Sequence, residues 1–583
     1  MKLCKIALTP PIAAIIVSFG LMFDAFATDY YVSTNGLHVV DGVVWGTYMT
    51  DDGVAYNAYT SIQEAISKAD AKDTVWVEDG FVCDSGECAP VDTLTGSNRV
   101  VLAKAITLRS RSGYVDESDP DDIKGAYIRG KYHSEERPCY SDSLRCVALT
   151  AAATLQGFVL ENGASGVNGI NRGGGGVLLN NANALVTNCI IRNCWAFNGG
   201  GINAQSAGTV ACCVISNNSA KAIWNDQATG SWEGTGGGLF GSAKLYKCDI
   251  IDNWAYSKSG GADWSGAEMR DCLFADNEAN GDVGGCKCVS SGRQYIYNTV
   301  ISNNVSKGSA GGGLCVGYMG DSITTVSDSV ITHNRGGNGA GVWSQEDSSG
   351  KKGGAILIRC RIENNTASGN GGGLYGARLH VTNCIVRGNT ATYGGGVYAK
   401  SATAKCDIQV CNTLIADNEG KWSGGVGSND SSAGSTMFIN CTVAGNSANP
   451  TVGYSQGGAG AAGSTFVNTV FGGNSGQVDY NSVYAATNCC IRFKSDVDPE
   501  TKGPGNFDKD PKFVGSGEMP YMIERTSPCR NKGLYDPDDP FFAWMTDGSV
   551  GSWALNGVER VSGSKPDLGC YEVKSYGLMM LVR

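Results

Sequence analysis

A short pattern of apolar and polar positions recurs along some 300 residues of the chain. It reads small residue, any residue, aliphatic residue or Phe, any two residues, then Asn. The aliphatic position is filled by Ile191, Ile215, Ile250, Phe274, Ile301, Ile331, Ile362, Val386, Ile415, Val443, Phe471 and Ile491. Three residues later stand Cys194, Asn218, Asn253, Asn277, Asn304, Asn334, Asn365, Asn389, Asn418, Asn446, Asn474 and Lys494. Ten of these twelve residues are asparagine, and the repeats are 20 to 35 residues apart.

A unit this short cannot bury a core alone, so it must stack on copies of itself. The repeats are rich in β-branched residues and lack helical periodicity, which predicts stacked coils of parallel strands, an all-β solenoid. Glycine clusters such as Gly371 to Gly373 and Gly394 to Gly396 are predicted to form its corners, together with the asparagines. Asparagine tolerates the left-handed backbone region, and its side-chain amide can bond to the next coil. Twelve coils at ~4.8 Å each give a rod of roughly 60 Å. A phosphate-binding glycine loop is disfavoured because no helix follows these glycines.

A row of small side chains lies two positions before the aliphatic position. It consists of Cys189, Cys213, Cys248, Cys272, Thr299, Ser329, Cys360, Cys384, Thr413, Cys441, Thr469 and Cys489. Period two places both positions on the inner face of the strand. Neighbours in register would hold their Cβ atoms about 4.8 Å apart, beyond the ~3.5 to 4.5 Å of a disulfide. We therefore predict a row of mostly free, buried thiols.

The position between those two should point outward, yet it is apolar in eight of the twelve repeats. The apolar residues are Ile190, Val214, Leu273, Val300, Val330, Ile385, Leu414 and Val470. A strand that is apolar on both faces is usually covered on both. Two interpretations stay open: either loops fold over this stripe, or a lateral partner, including a second copy of the chain, covers it.

A second outward row follows the glycine corners and carries aromatic residues. Phe240, Trp343, Tyr375 and Tyr398 belong to it, and the last three fall on consecutive coils. Aromatic faces spaced along a rod can stack on sugar rings, so Trp343, Tyr375 and Tyr398 are the candidate ligand-binding residues. Aromatics on adjacent strands also stack on each other, which is the structural alternative.

Composition and charge narrow the class of protein. With 42% hydrophobic residues the chain is too apolar for a disordered glycine-rich tail. Its net charge of -11, its pI near 5.0 and its scattered Lys and Arg residues disfavour a nucleic-acid partner.

The first 27 residues are predicted to be a signal peptide. Lys2 and Lys5 precede an apolar run, and small residues follow in Ala25-Phe26-Ala27. The mature chain would begin near Thr28, be extracellular or surface-displayed, and contain no transmembrane segment. We divide the remainder into an N-terminal cap with the first coils (28–150), the repeat region (151–494) and an irregular C-terminal cap (495–583).

Export permits disulfides, and Cys83/Cys88, Cys139/Cys146 and Cys406/Cys411 are near enough in sequence to close small loops. Their pairing stays open. A zinc site is disfavoured because Cys286-Lys287-Cys288 has no second pair at zinc spacing.

The outward positions show no cluster that would carry catalysis. Asp263 with Lys287 and Glu363 with Arg387 are isolated pairs on consecutive coils. The four histidines, His38, His133, His333 and His380, have neither triad nor metal spacing, and His333 is expected to be a turn residue. We assign no catalytic or metal-binding residue and expect no cofactor. The acidic stretches 116–122 and 536–540 are candidate calcium ligands or ordinary loops.

Several motifs resemble known families. The units "GGAILI" (353–358) and "FADN" (274–277) resemble repeats of the chlamydial polymorphic outer-membrane proteins, and more broadly of right-handed parallel β-helix proteins of the pectin-lyase-like type. "YYVSTNG" (30–36) and "YTSIQEAISKADAKDTVWVEDG" (59–80) look like the N-terminal start of that fold. In the second motif Ile62, Ala65, Ile66 and Ala69 form one helical stripe, a short capping helix, before a first strand in "DTVWVEDG".

The C-terminal motifs "DKDPKFVG", "SPCRNKG" (527–533) and "DLGCYE" (567–572) are similar to the last segment of bacterial choice-of-anchor β-helix proteins. The C-terminal β-barrel of the outer-membrane proteins has no counterpart in this sequence, which leaves the mode of surface attachment open.

Fold alone does not decide function, since β-helices host lyases, hydrolases, adhesins and phage tailspikes. The leading hypothesis is a secreted or cell-surface protein with a binding or structural role, adhesin-like, whose long face meets a polysaccharide, another surface molecule or its own copies. The alternative is a polysaccharide lyase or glycoside hydrolase whose residues lie on loops.

Overall fold

The structure is a computed structural model. It describes residues 27–574 except 35–38, 41–42, 45–47, 50–54, 57, 85–90, 94–95, 116–124, 135–138, 140–141, 166–172, 224–231, 318–321, 345–352, 401–406, 429–435, 449–463, 476–482, 493–497 and 562–563. The predicted signal peptide, His38 and the acidic stretch 116–122 lie outside the described residues.

The chain winds through four long sheets, and each coil adds one strand to each sheet that it enters. The first sheet has 16 strands: Asp29–Val32, Thr74–Val77, Thr107–Ser110, Thr154–Gln156, Leu185–Thr187, Thr209–Ala211, Lys244–Tyr246, Glu268–Arg270, Arg293–Tyr297, Ile323–Ser327, Gly354–Ile358, Arg378–Thr382, Asp407–Cys411, Thr436–Ile439, Thr465–Val467 and Ala485–Thr487. The second sheet has 14: Val82–Cys83, Ala126–Arg129, Phe158–Glu161, Ile190–Arg192, Val214–Ser216, Asp249–Ile251, Leu273–Ala275, Val300–Ser302, Val330–Thr332, Arg361–Glu363, Ile385–Arg387, Leu414–Ala416, Thr442–Ala444 and Val470–Gly472.

The other two sheets complete the coil. The third has 10 strands: Trp195–Ala196, Ser219–Ala220, Trp254–Ala255, Glu278–Ala279, Val305–Ser306, Arg335–Gly336, Thr366–Ala367, Thr390–Tyr393, Glu419–Ser423 and Ser447–Ala448. The fourth has 13: Val91–Thr93, Gly96–Leu102, Arg145–Leu149, Val177–Leu179, Ile202–Ala204, Leu239–Gly241, Ala262–Trp264, Cys286–Cys288, Leu314–Val316, Val342–Ser344, Leu374–Gly376, Val397–Ala399 and Val426–Ser428. Apart from the antiparallel hairpin of Val91–Thr93 with Gly96–Leu102, neighbouring strands in these sheets are parallel, so the chain is a right-handed parallel β-helix, as predicted.

The rod is longer than the repeat pattern predicted. Sixteen strands at ~4.8 Å span about 70 Å, because further coils precede Ile190 within 74–161. Those coils lack asparagine at the repeated position, which is why the pattern missed them. The first strand is Asp29–Val32, which pairs with the predicted first strand Thr74–Val77. The capping helix is confirmed as Ile62–Lys68, with its apolar stripe buried against the core.

The core runs the length of the rod and has the predicted inner face. All twelve residues of the aliphatic position are buried. The thiol row is confirmed as well: its eight cysteines are buried and free. Burial raises the pKa of thiols such as Cys441, so they behave as small apolar side chains.

A continuous ladder of asparagine side chains lies inside the rod between the second and third sheets. The Nδ2 of Asn334 donates to Asn365 Oδ1 at 3.0 Å and to Ile301 O at 2.9 Å, and the same pattern repeats from Asn218 to Asn446. The predicted bond to the next coil is thus confirmed. The left-handed backbone expected of these asparagines belongs instead to the residue before each, such as His333 with φ 56°.

The glycine triplets form the corner before the fourth sheet, as predicted. Gly371 has φ +64°. A Cβ on Gly372 would lie 2.5 Å from Gly395 O of the next coil. The first glycine therefore supplies a conformation that L-residues avoid, and the second allows two coils to approach closely.

The C-terminal cap, here residues 498–574, folds back along the rod. It is irregular, with 3-10 helices Pro499–Lys502, Pro540–Met545 and Val550–Ser552. It docks on a row of corner asparagines with positive φ. Asn412 Nδ2 donates to Gly551 O at 2.7 Å, while Asn468 donates to Leu534 O at 2.9 Å and accepts from Leu534 N at 2.6 Å.

Docking of the C-terminal cap shows which part of the outward apolar stripe is covered by the chain itself. The cap buries Leu414, Val470 and Cys490 on the last coils. Over the preceding coils the stripe stays half-exposed at Ile190, Val214, Leu273 and Val330, and Val300 is 37% exposed. The loop interpretation therefore holds for the C-terminal end of the stripe alone.

The cysteine pairs suggested by sequence have different outcomes. Cys83 is in a disulfide, and Cys88 lies outside the described residues. Cys139 and Cys146 are both free, and so is Cys411, so the second and third suggested pairs do not form. Cys139 packs in a small cluster beneath Tyr132 and Trp195, whereas Cys146 belongs to the rod core, which separates the two thiols.

Candidate functional site

The three candidate ligand-binding aromatics lie where the sequence placed them. Trp343, Tyr375 and Tyr398 are the central residues of adjacent strands in the fourth sheet, in register. The rings of Tyr375 and Tyr398 stack at 5.8 Å between centroids with 7° between their planes. These tyrosines are only 6% and 8% exposed, whereas Trp343 is half-buried. Much of the tyrosine surface is therefore taken up by neighbouring protein groups.

Two further aromatic rings lie beside Tyr398. Tyr393 is tilted against Tyr398 with centroids 6.3 Å apart, and Trp422 stacks on Tyr393 at 5.7 Å and 9°. Both outer residues are half-buried. They come from Thr390–Tyr393 and Glu419–Ser423, which are longer than the other, two-residue strands of the third sheet. We call Trp343, Tyr375, Tyr393, Tyr398 and Trp422 the aromatic patch.

Two small residues make room for this arrangement. The row position after Tyr398 is Gly427, where a Cβ would lie 2.8 Å from Tyr398 Cδ2. Gly394 N donates to Ser423 Oγ at 2.8 Å, which ties the two extended corners together. The outer layer is thus held on backbone that belongs to the rod.

Lysines flank the aromatic patch. Lys421 Nζ lies 5.9 Å from the centroid of the Trp422 ring, and Lys400 Nζ lies 5.9 Å from that of Tyr375. At these distances each ammonium is attracted by the ring face, and it keeps N–H donors for a ligand. The patch offers flat apolar faces for a sugar ring beside cations for a carboxylate or sulfate group.

Sequence reasoning missed Tyr393 and Trp422. Both stand at the end of the strand that precedes a glycine corner, as Tyr393-Gly394 and Trp422-Ser423-Gly424. The pattern that aligned the strands did not extend to the third sheet, whose strands are mostly two residues long. An aromatic residue within two positions of a glycine corner on consecutive coils is the signal that could have found them.

The pair Asp263 and Lys287 is buried rather than displayed. The two residues are register partners in the fourth sheet, yet Lys287 Nζ pairs with Asp282 Oδ2 at 2.8 Å, and Lys287 is fully buried. Burial alone would lower the pKa of Lys287, but Cys315, Asp282 and Asp263 outweigh it and the pKa lies above its usual value. Burial also raises the pKa of Asp263 to about 6. An inaccessible lysine that holds its proton is unsuited to act as a base.

In the other predicted pair, Glu363 and Arg387, each residue forms an ion pair with a different partner. Glu363 and Arg387 are register partners. Arg361 Nη2 binds Glu363 at 2.8 Å, however, and Arg387 Nε binds Asp417 at 2.7 Å. Both are partly exposed surface pairs, which contribute little.

The remaining titratable candidates have structural partners. His133 contacts Asp142 at 2.8 Å and His380 contacts Asp407 at 3.1 Å. His333 occupies a corner, as expected of a turn residue. In the stretch 536–540, Asp539 Oδ1 accepts from Phe541 N at 2.9 Å, so it caps a 3-10 turn. Within the described parts of the chain, no three His, Cys, Asp or Glu side chains gather in a way that could hold a metal ion.

A groove of about 480 Å³ lies between the C-terminal cap and the second sheet. Arg359, Arg361, Ile385 and Trp553 are among its lining residues. Both arginines are engaged in ion pairs, Arg359 with Asp328 and Arg361 with Glu363. The groove therefore offers less free charge than the aromatic patch.

Over the residues that the structure covers, the helices are too short or too polar to cross a membrane.

Comparisons with known proteins assign the chain to no family. No protein-family model matches the chain, and no curated protein sequence matches it either. Among solved structures, pectate lyase Pel9A is similar at 12% identity and a TM-score of 0.24; the match covers 94% of this chain and 98% of the lyase. XylC in complex with xylose is similar at 10% identity and a TM-score of 0.27; the match covers 94% of this chain and 99% of XylC. The assignment of this chain as a right-handed parallel β-helix thus rests on its own strand pairing.

Proposed function

We propose that this chain is an exported, surface-displayed β-helix protein with a binding role, and that it holds a glycan on the aromatic patch. The observation that carries the proposal is a run of packed rings: half-exposed Trp422 stacks on half-exposed Tyr393, Tyr393 packs against buried Tyr398, and Tyr398 stacks on buried Tyr375. A ring whose rear face is already packed loses little freedom when its front face binds a ligand.

The predicted ligand-binding residues take different parts in this proposal. Trp343 and the outer pair Tyr393 and Trp422 offer surface to a sugar ring, whereas Tyr375 and Tyr398 are buried, with Tyr398 packed against Tyr393. Lys400 and Lys421 favour a glycan that carries carboxylate or sulfate groups. The ligand class is therefore an acidic polysaccharide or cell-surface glycan.

Export and surface display are supported by the sequence. The N-terminal apolar run with Ala25-Phe26-Ala27 is typical of a signal peptide. The repeats resemble polymorphic outer-membrane proteins, and the C-terminal motifs resemble choice-of-anchor proteins. Calcium binding at 116–122 stays a prediction, and glycan binding on the patch needs no metal ion.

Lateral self-association is a second proposal, supported by the half-exposed part of the apolar stripe. If two rods packed antiparallel about a two-fold axis at Val300, Leu273 of each copy would face Val330 of the other. Asp249 would then face Arg361, since each lies two strands from Val300. The apolar contacts between Leu273 and Val330 would then lie between two Asp249–Arg361 pairs of opposite charge, which favours this arrangement.

The test of glycan binding is incubation of the purified chain with a panel of acidic and neutral polysaccharides, scored for retention and for new reducing or unsaturated ends. The proposal predicts retention on acidic members without new ends. Release of ends, abolished by a single point substitution, would overturn it in favour of a lyase or hydrolase. Failure to retain any member would remove the glycan from the proposal.

A further inference from the structure

The C-terminal cap meets the end of the rod in a small apolar cluster separate from the main core. Its buried members are Val470, Cys490, Ile523, Cys529, Leu568 and Val573. Two of the six are cysteines, one from the last coil and one from the cap. Both are free in this structure, with 1% and 0% of their surface exposed.

The two thiols come from different elements of the fold. Cys490 occupies the outward position of the last coil, where its backbone bridges to Val470 and Phe507. Cys529 lies in a tight turn of the cap, held by Leu568 N donating to Cys529 O at 3.0 Å. Cys490 Sγ donates to Lys509 O at 3.1 Å, and Cys529 N donates to Ser527 Oγ at 3.1 Å. The cluster thus brings together two thiols from elements that are distant in sequence.

The geometry differs from that of the thiol row. In the row, neighbours such as Cys360 and Cys384 sit on adjacent strands and their side chains point the same way, with Cβ atoms about 4.8 Å apart. Cys490 and Cys529 instead belong to the last coil and to the cap, so the spacing of paired strands does not fix the distance between their Cβ atoms. The cap pair can therefore close where the row is expected to stay reduced.

We propose that Cys490 and Cys529 become a disulfide when the chain folds in an oxidising compartment, which fixes the C-terminal cap to the end of the rod. The compartment rests on the proposed export. The bond would close a loop between the last coil and the turn at 527–533, and would hold the cap against the outer face of the last coils.

The chemistry requires an oxidant that carries a disulfide, such as oxidised glutathione. One cysteine thiolate attacks that disulfide, forms a mixed disulfide and releases one thiol. The second cysteine, deprotonated, then attacks the protein sulfur and releases the other thiol. In all, two protein thiols lose two electrons and two protons, and the oxidant is reduced to two thiols. Because both cysteines are buried once docked, the first step precedes docking of the cap.

The full-length mature chain, refolded with reduced and oxidised glutathione, tests this directly. After denaturation without reductant, free thiols are alkylated and the peptides are mapped by mass spectrometry. A peptide linking Cys490 to Cys529 is expected, while Cys360 and Cys384 are alkylated. In Cys529→Ser, Cys490 should become alkylated, and protease should cut the cap at least several-fold faster than in wild type. In Cys360→Ser, the matched control, the linked peptide should persist.

Alkylation of both Cys490 and Cys529 in correctly refolded wild type would overturn the proposal without need of any variant. A linked peptide in a chain that retains no glycan would leave the disulfide standing and contradict the proposed function alone. A peptide linking Cys360 to Cys384 in place of one linking Cys490 to Cys529 would also contradict the proposal.

Discussion

At the scale of single residues, the buried asparagine ladder satisfies polar groups that the coil would otherwise leave unpaired. Asn334 is fully buried, and its Oδ1 accepts from the backbone N and the Nδ2 of Asn304 at 3.0 and 2.9 Å. A buried amide that loses such partners carries the full cost of its desolvation. This explains why ten of twelve repeats keep asparagine at a position where an apolar residue would fit the core.

Replacing one ladder residue should open the coils around it. We expect Asn334→Ala to cost about 2 kcal/mol or more, because it leaves donors on Asn304 and the carbonyl of Ile301 unpaired. Amide hydrogen exchange in the adjoining coils should accelerate about 30-fold. Asn280→Ala, at an exposed corner, is the control and should change little. Equal protection in both variants would show that the ladder contributes no net stability.

The buried carboxyl of Asp263 should make stability depend on pH. Its pKa is raised from 3.8 to about 6 by burial. The folded state then binds more protons at this group than the unfolded state does between those values, so the contribution of Asp263 to stability should be greatest below about pH 4 and fall as pH rises through 6. The loss is about 3 kcal/mol at most. Asp263→Asn should flatten this slope in urea unfolding measured from pH 4 to 7. An unchanged slope would assign the pH dependence to other groups.

At the scale of elements, the C-terminal cap is held by features that its own motif supplies. In "DLGCYE", Leu568 joins the cluster beside Val470, and Tyr571 packs with Leu414. Gly569 lies against the rod, where a Cβ would be 2.6 Å from Thr442 Oγ1. The motif is therefore a docking segment for the outer face of the last coils.

We expect Gly569→Ala to loosen the cap. The residue has φ +89° and no room for a side chain, so the substitution adds a clash to backbone strain. Limited proteolysis within 498–574 should become at least tenfold faster. Gly557→Ala is the matched control, because Gly557 also has positive φ but nothing within 4 Å of its Cβ position. Should the two variants be cut at the same rate, the close contact at Gly569 is not what holds the cap.

The sequence predicted elements that follow a local rule. The inward aliphatic residues, the thiol row, the glycine corners and the helix Ile62–Lys68 all followed from period and residue type. The cap over Leu414 and Val470 could not be predicted, because a stripe that is apolar throughout does not show which part a distant segment covers. For the same reason, Trp343, Tyr375 and Tyr398 could be aligned from sequence, whereas their burial depends on how the corners at Tyr393 and Trp422 fold.

At the scale of the whole molecule, the half-exposed stripe sets an expectation about association. Val300 lies at its centre and is 37% exposed. If rods pair through the stripe, sedimentation velocity should show a species that grows with protein concentration. Val300→Lys should weaken that association tenfold or more, since two lysines would be buried against each other at the two-fold axis. Val514→Lys, at a similarly exposed valine on the cap, should not. A wild-type chain that stays monomeric at hundreds of micromolar would contradict lateral pairing.

The aromatic patch is one small area of the rod, and the proposed glycan binding depends on it. The most direct measurement is the dissociation constant for an acidic oligosaccharide retained in the panel, for wild type, Trp422→Ala and Trp254→Ala. Trp254 is the matched control, a half-buried tryptophan on the same third sheet, several coils away and outside the patch. We expect Trp422→Ala to bind at least tenfold more weakly, a loss of about 1.4 kcal/mol. Trp254→Ala should bind within twofold of wild type. Equal affinity of Trp422→Ala and wild type would contradict glycan binding on the patch.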